Sequence, residues 1–306
     1  MSAPIISQPD ITSTQVTDSI SAAQSVTNYA QAAVTTVPQP DDMPDWFTPI
    51  NADITVVKTH AQNWLNEICP AISNSIPESI INFNQNFQQS SSGILTLLQK
   101  IVQQPGSLPT MDQQKLVNNY LSSIQTNATN QSNVVNTILQ NVKKAAANTN
   151  SDQQKIASDL NLIATKITSG AASIDQMQTA IGEGFLDNTT LGPCNVIVNI
   201  NMNIVLKITG MNIDPTIICT VYANAILQNL LNNTQASQKC VQTIVDTWAI
   251  MQTKFSDVIT DLADVASDQF TAYLQQLDFA TAKIQWQQLA DFASTLVQSS
   301  TMATAN

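Results

Sequence analysis

Seven apolar side chains occupy every even position from Val196 to Ile208: Val196, Val198, Ile200, Met202, Ile204, Leu206 and Ile208. The odd positions hold Asn195, Asn199, Asn201, Asn203 and Lys207, interrupted by Ile197 and Val205. Side chains of a β-strand alternate between faces, so this period of two predicts one wholly apolar face and one mostly amide face. The chemistry of such a face is partition. It leaves water for whatever apolar phase is within reach, a protein core or the interior of a bilayer, at roughly 1.5–3 kcal/mol for each fully buried aliphatic. Thr209-Gly210-Met211-Asn212 then reads as a turn, and Ile213, Ile217, Ile218, Val221 and Tyr222 extend the apolar element, with Pro215 confining a returning strand to an edge. The run Ile217 to Leu231 fits a short apolar helix equally well. Between Leu186 and Leu231 the charges are Asp187, Lys207 and Asp214 alone, so the apolar element sits in a charge-poor stretch.

Other residue types with chemical potential do not converge. His60 is the sole histidine and has no cysteine beside it, whereas metal sites and catalytic triads need several groups together. Cys69, Cys194, Cys219 and Cys240 are scattered, with no CxxC pair; one or two disulfides are compatible with them, and spacing does not pair them. Asp257, Asp261, Asp264 and Asp268 fall three or four apart on a helical pattern. They lack the glycine-containing loop of a calcium site and read as a solvated face. All 11 basic residues are Lys, and only 7 Gly are present, so phosphate cradles and guanidinium forks are not to be expected. The formal charge of −11 opposes nucleic-acid binding. These features predict a non-enzymatic protein with no cofactor and no nucleic-acid partner.

The elements that must position the apolar segment are helices. Ile11, Val16, Ile20, Ala23, Val26, Ala30 and Val34 predict a helix over 10–37, stopped by Pro38, Pro40, Pro44 and Pro49. Within that proline-rich stretch Trp46 and Phe47 are expected to pack the loop onto a neighbouring helix. Ile54, Val57, Ala61, Trp64, Leu65 and Ile68 predict a second helix closed by Cys69-Pro70. Ile80, Phe87, Ile94 and Ile101, seven apart, predict a third that packs along a long seam. From Val117 the steps of four and three run to 149, shift near Thr149 to Gln153, and resume from Ile156 to Ile181, predicting a very long helix that bends or breaks at the shift. Gly182, Gly184, Gly192 and Pro193 end it. A returning helix carries Leu227, Val241, Trp248, Phe255 and Leu262, then Phe270, Tyr273, Leu277, Ile284, Phe292 and Leu296. The predicted fold is mainly α, an elongated antiparallel bundle of long helices with a small head domain containing a hydrophobic β-hairpin. Residues 1–185 and 232–306 form the bundle, and 186–231 the head. The N-terminus has no basic n-region followed by an apolar run, and no stretch reaches the about 18 apolar residues of a spanning helix, so the sequence predicts a protein soluble as made, without a recognisable signal peptide.

This order of parts resembles the α-helical pore-forming toxins related to cytolysin A, including the haemolysin BL, non-haemolytic enterotoxin and motility-associated killing factor groups. The resemblance spans Ile11 to about Val297 and rests on architecture. It implies a secreted soluble rod whose head carries a hydrophobic β-tongue, here Val196 to Ile208 continued by Ile213 to Tyr222. On contact with target-cell membrane lipids the tongue inserts, and the chains assemble as a homo-oligomer or a hetero-oligomer with related components. Where such a tongue would carry small apolar residues, this sequence has Asn at several odd positions, which points to a component that assists a partner. The alternative is a non-enzymatic helical rod or secretion-system translocator capped by a small β-hairpin.

Overall fold

The computed structural model describes residues 11–35, 45–103, 108–166, 186–190, 196–200 and 269–304, together with Pro9 and isolated helical positions at 239, 242, 246, 253 and 260. The described chain is mainly α: α1 (Ser13–Thr35), α2 (Thr48–Asn63), α3 (Ile76–Val102), α4 (Met111–Lys166), strands β1 (Leu186–Thr190) and β2 (Val196–Ile200), α5 (Phe270–Gln276) and α6 (Phe279–Thr304). Two capping boxes set helix starts. Thr12 and Gln15 exchange side-chain-to-backbone hydrogen bonds at the head of α1, and Thr110 and Gln113 do the same at the head of α4. The chain forms two compact units, one of Met1–Asp18, Asn74–Leu139 and Cys240–Gln298, the other of Ser19–Ser73, Gln140–Lys239 and Ser299–Asn306.

In the first unit the seven-residue series of α3 is buried throughout: Ile80, Phe87, Ile94 and Ile101 all lie in the core, joined by Phe83 and Leu98. The facing series on α4 includes Val117, Leu121, Ile124 and Ala128. Against α3 from the other side sits Trp286 of α6, fully buried, its ring centroid 4.5 Å from that of Phe83. Phe279 lies 6.2 Å from Phe87. Edge-tilted aromatic pairs of this kind add about 0.5–1.5 kcal/mol beyond their buried area. Asn84 Nδ2 donates to Gln287 Oε1 at 3.1 Å and Gln88 Nε2 to the Lys283 carbonyl at 2.7 Å, so amides along the seam fix the register that the rings alone leave loose.

The expected returning stripe fails at one point. Asp278 has φ 44°, in the left-handed region, and Thr281 N donates to its Oδ1 at 3.2 Å, which makes Asp278 the N-cap of a fresh helix. The turn resets the phase, so Phe279, Ala282, Trp286, Leu289 and Ala293 are buried, while Ile284 is 62% exposed and Phe292 and Leu296 are half-buried. The part of the returning stripe between Leu227 and Leu262, and the four Asp from 257 to 268, lie outside the described residues.

In the second unit Ile20, Ala23, Val26 and Ala30 of α1 meet Ile50, Ile54, Val57, Ala61 and Trp64, all buried. Phe47 is fully buried beside them, as expected of an aromatic in that loop. Trp64 Nε1 donates to Thr27 Oγ1 at 3.1 Å, and that hydroxyl donates to the Ala23 carbonyl, which satisfies a buried indole N–H inside an otherwise apolar seam. Pro70 does not close the helix as its type suggests. The chain stays helical past it by widening into π turns on both sides, Trp64–Ile68 and Ala71–Ser75. A proline ring clashes with the carbonyl four residues back, and wider turns move that carbonyl aside. Ser73 Oγ donates to the carbonyls of Cys69 and Pro70, which engages its buried hydroxyl locally within the second π turn.

At Gly93 the ring of Tyr120 from α4 lies directly against the backbone of α3. A Cβ built on Gly93 would lie 2.4 Å from the Tyr120 ring. Alanine gains about 1 kcal/mol over glycine in helix propensity, but at position 93 it must displace that ring. Gly93→Ala is therefore expected to leave the urea midpoint unchanged or lower in the wild-type chain and to raise it in a Tyr120→Ala background. The coupling in that double-mutant cycle should be about 1 kcal/mol.

Candidate functional site

The predicted partition element is described in part. Val196, Val198 and Ile200 lie in β2, which pairs antiparallel with β1 in the register Thr190 to Val196, Asn188 to Val198 and Leu186 to Ile200. Met202, Ile204, Leu206, Ile208, Ile213, Ile217, Ile218, Val221 and Tyr222 lie outside the described residues. The partner strand itself was not foreseen, because sequence reasoning placed the return downstream, after Asn212. A signal for it exists: Thr189-Thr190 is β-prone, and Leu186 to Thr190 is bounded by Gly182 and Gly184 on one side and Gly192-Pro193 on the other.

A second cluster joins α2 to α4, and sequence reasoning missed it. Asp53 and His60 are seven residues apart on α2, Asp152 and Asp159 seven apart on α4, with Lys155 between. Antiparallel neighbours match these sets crosswise. His60 Nδ1 lies 2.6 Å from Asp152 Oδ2, and Lys155 Nζ donates to Asp53 Oδ1 at 3.2 Å. The His60 side chain is 31% exposed and that of Asp152 only 3%. α4 neither breaks nor bends its pattern here. Buried positions run Val142, Ala146, Thr149, Asp152 and Ile156, so the apparent shift near Thr149 to Gln153 is a regular seam position held by a carboxylate instead of an aliphatic. His60 lies off the apolar stripe of α2 because it faces that carboxylate.

Burial raises the Asp152 carboxyl above the ordinary range; the hydrogen bond and charge of His60, with Lys155, pull it back, and Asp53 pushes it up. Asp159 is pushed up to about 6, first by burial and then by the charge of Asp53, against Lys155. Its Oδ2 is buried and has no hydrogen-bond partner. Among the described residues no group of three His, Cys, Asp or Glu is placed to hold a metal ion. Cys69 is disulfide-bonded, and Cys194, Cys219 and Cys240 lie outside the described residues. The grooves of the first unit between α3 and α5–α6, about 400 and 470 Å³, carry one ionisable side chain each, Asp278 and Lys283, so neither offers an acid–base pair. No described helix is long and apolar enough to cross a membrane.

The His60–Asp152 pair should behave as a buried polar contact. His60→Leu leaves Asp152 without its donor and is expected to cost about 1–3 kcal/mol in the urea midpoint. His60→Leu with Asp152→Leu should recover most of that loss, since replacing both partners by apolar groups is close to neutral.

The model of the Bacillus haemolytic enterotoxin (HBL) family matches residues 5–184. No curated protein sequence matches the chain significantly. Among solved structures, the HblL1 toxin component of Bacillus cereus superposes with TM-score 0.67 at 12% identity, covering 95% of this chain and 97% of that one. SmhA of the tripartite α-pore-forming toxin Smh from Serratia marcescens gives 0.67 at 11% identity, covering 97% and 95%. The cytotoxin MakB from Vibrio cholerae gives 0.66 at 13%, covering 96% and 94%. At these identities the superpositions establish a common fold along nearly the whole chain, while the family match extends over more than half of the sequence. The chain belongs to the Bacillus haemolytic enterotoxin (HBL) family.

Proposed function

We propose that the protein is a secreted component of an α-pore-forming toxin that inserts an apolar head into target-cell membranes and oligomerises there, without catalysis. In this reading residues 1–185 and 232–306 form an elongated antiparallel helical tail. Residues 186–231 form the head, with a β-tongue built on the apolar series that starts at Val196. One observation carries the proposal: seven alternate apolar residues in a charge-poor segment, in a chain whose family and fold are those of toxin components. An apolar strand face must be hidden while the protein is in water, and lipid is a competing place to put it once the covering surface opens. Inserted backbone then needs partners for its N–H and C=O groups, which favours assembly over a lone inserted chain.

The amide face of the same segment supports a multicomponent toxin. Asn195, Asn199, Asn201 and Asn203 are costly in hydrocarbon unless another chain or a water-filled lumen satisfies them. SmhA and the AhlB protein of Aeromonas hydrophila both belong to tripartite α-pore-forming toxins, and a hetero-oligomer of this kind gives the amides protein neighbours.

Dye release from liposomes, with the purified chain alone and mixed with related components encoded beside it, tests the reading. Permeabilisation is expected, and Ile200→Asp with Ile204→Asp should cut it at least about tenfold while far-UV circular dichroism stays unchanged, since a carboxylate on the lipid face of an inserted strand is destabilising, by somewhat less than the about 2–4 kcal/mol of a midplane Arg or Lys, and two are introduced. Release by the double variant at the wild-type rate would show that the segment does not enter lipid.

A further inference from the structure

Among the described residues of this α2–α4 cluster three carboxyls, Asp53, Asp152 and Asp159, meet two basic side chains, His60 and Lys155, and one oxygen of Asp159 has no hydrogen-bond partner. Asp53 has Lys155, and Asp152 has His60, but Asp159 Oδ2 is buried with nothing to accept from. An ionised carboxylate in that position is costly, and the negative charge of Asp53 adds to the cost. A protonated Asp159 removes both penalties and supplies a donor. Among the described residues the groups that act on Asp159 are Asp53 and Lys155, and those that act on Asp152 are His60, Lys155 and Asp53. We propose that the α2–α4 seam is a proton-operated clasp, tight in acid and looser towards neutral pH, that sets how readily α2 parts from α4 when the chain changes shape. The last clause rests on the pore-forming reading; the clasp itself does not.

The direction follows from proton linkage. Asp159 holds its proton more tightly in the folded chain than in the unfolded one, so the stability it lends is complete below the ordinary carboxylate pKa and is lost as pH rises through about 6. Asp152, also raised, acts in the same direction and is moderated by His60 and Lys155. Acid therefore strengthens this seam, opposite to the usual case of carboxylates held low by salt bridges.

Urea midpoints of the full-length chain between pH 4.5 and 8 test the clasp. They are compared with Asp159→Asn, which mimics the protonated group, and with Asp112→Asn on the exposed start of α4, which makes the same change in net charge. The wild-type midpoint should fall between pH 5 and 7. Asp159→Asn should flatten that fall and raise the melting temperature at pH 7.5 by about 2 °C or more, while Asp112→Asn keeps the wild-type profile. Equal profiles for the two variants, or a lower midpoint for Asp159→Asn at pH 7.5, would overturn the clasp. A carboxyl NMR titration of Asp159 in the wild-type chain gives an independent reading, with a midpoint near 6 expected and an ordinary carboxylate midpoint against it. In liposome assays at pH 7.5, Asp159→Asn should slow dye release several-fold. Unchanged release beside the shifted midpoint would remove the clasp from the shape change, and a wild-type chain inactive on liposomes both alone and with the related components would sink the pore-forming reading while leaving the urea result standing.

Discussion

A helix of 56 residues cannot hold itself together on propensity, and α4 has little else intrinsic to rely on. Its surface is mostly amide and hydroxyl, and charged residues are only 11% of the whole chain, so few ion pairs are available to support it. Its stability comes from the buried stripe that runs from Val117 to Ile156. The surrounding structure supplies the other side of that stripe. α3 covers it in the first unit with Gly93 kept bare for Tyr120, and α2 meets it in the second with Asp53 and His60. Hydroxyls on these helices bond locally, as Thr55 and Thr59 of α2 and Thr137 and Thr149 of α4 each donate to the carbonyl four residues back. Such bonds occupy polar groups locally and leave the apolar seam to determine which helices meet.

Sequence periodicity was informative where the seam is apolar. The series Ile80, Phe87, Ile94 and Ile101 is buried as its spacing implies, and so are Val117, Leu121 and Ile124. It misled where one residue broke the link between hydrophobicity and burial. Asp152 is as buried as an aliphatic, which turned a regular step into an apparent shift, and only its partner ninety-two residues away explains it. The same reasoning hid His60, whose environment depends on a contact that no local window contains. Pro70 and Asp278 show the complementary error. A proline predicted an end that π turns absorb, and an aspartate within an apolar stripe concealed a cap that restarts the helix in a new phase, turning Ile284 outwards.

The candidate partition segment was legible because a period of two stands out in a helical chain. Its strand partner was not, because Leu186 to Thr190 has no alternation of its own and gains a face only from pairing with Val196 to Ile200. In the proposed reading the chemistry of that segment is one of phase transfer. Apolar side chains and amides alternating in one segment make that segment's environment, water, protein or lipid, the variable that the proposed function would control.

Hydrogen–deuterium exchange of peptides covering residues 186–209, in solution and with liposomes plus the companion components, tests that claim most directly. Slower exchange across Val196 to Ile208 in the membrane-bound state, with the peptides of α3 unchanged, is the result predicted for a segment that enters lipid with its backbone paired. Exchange in 186–209 that stays at the solution rate while the protein is bound to membrane would contradict it.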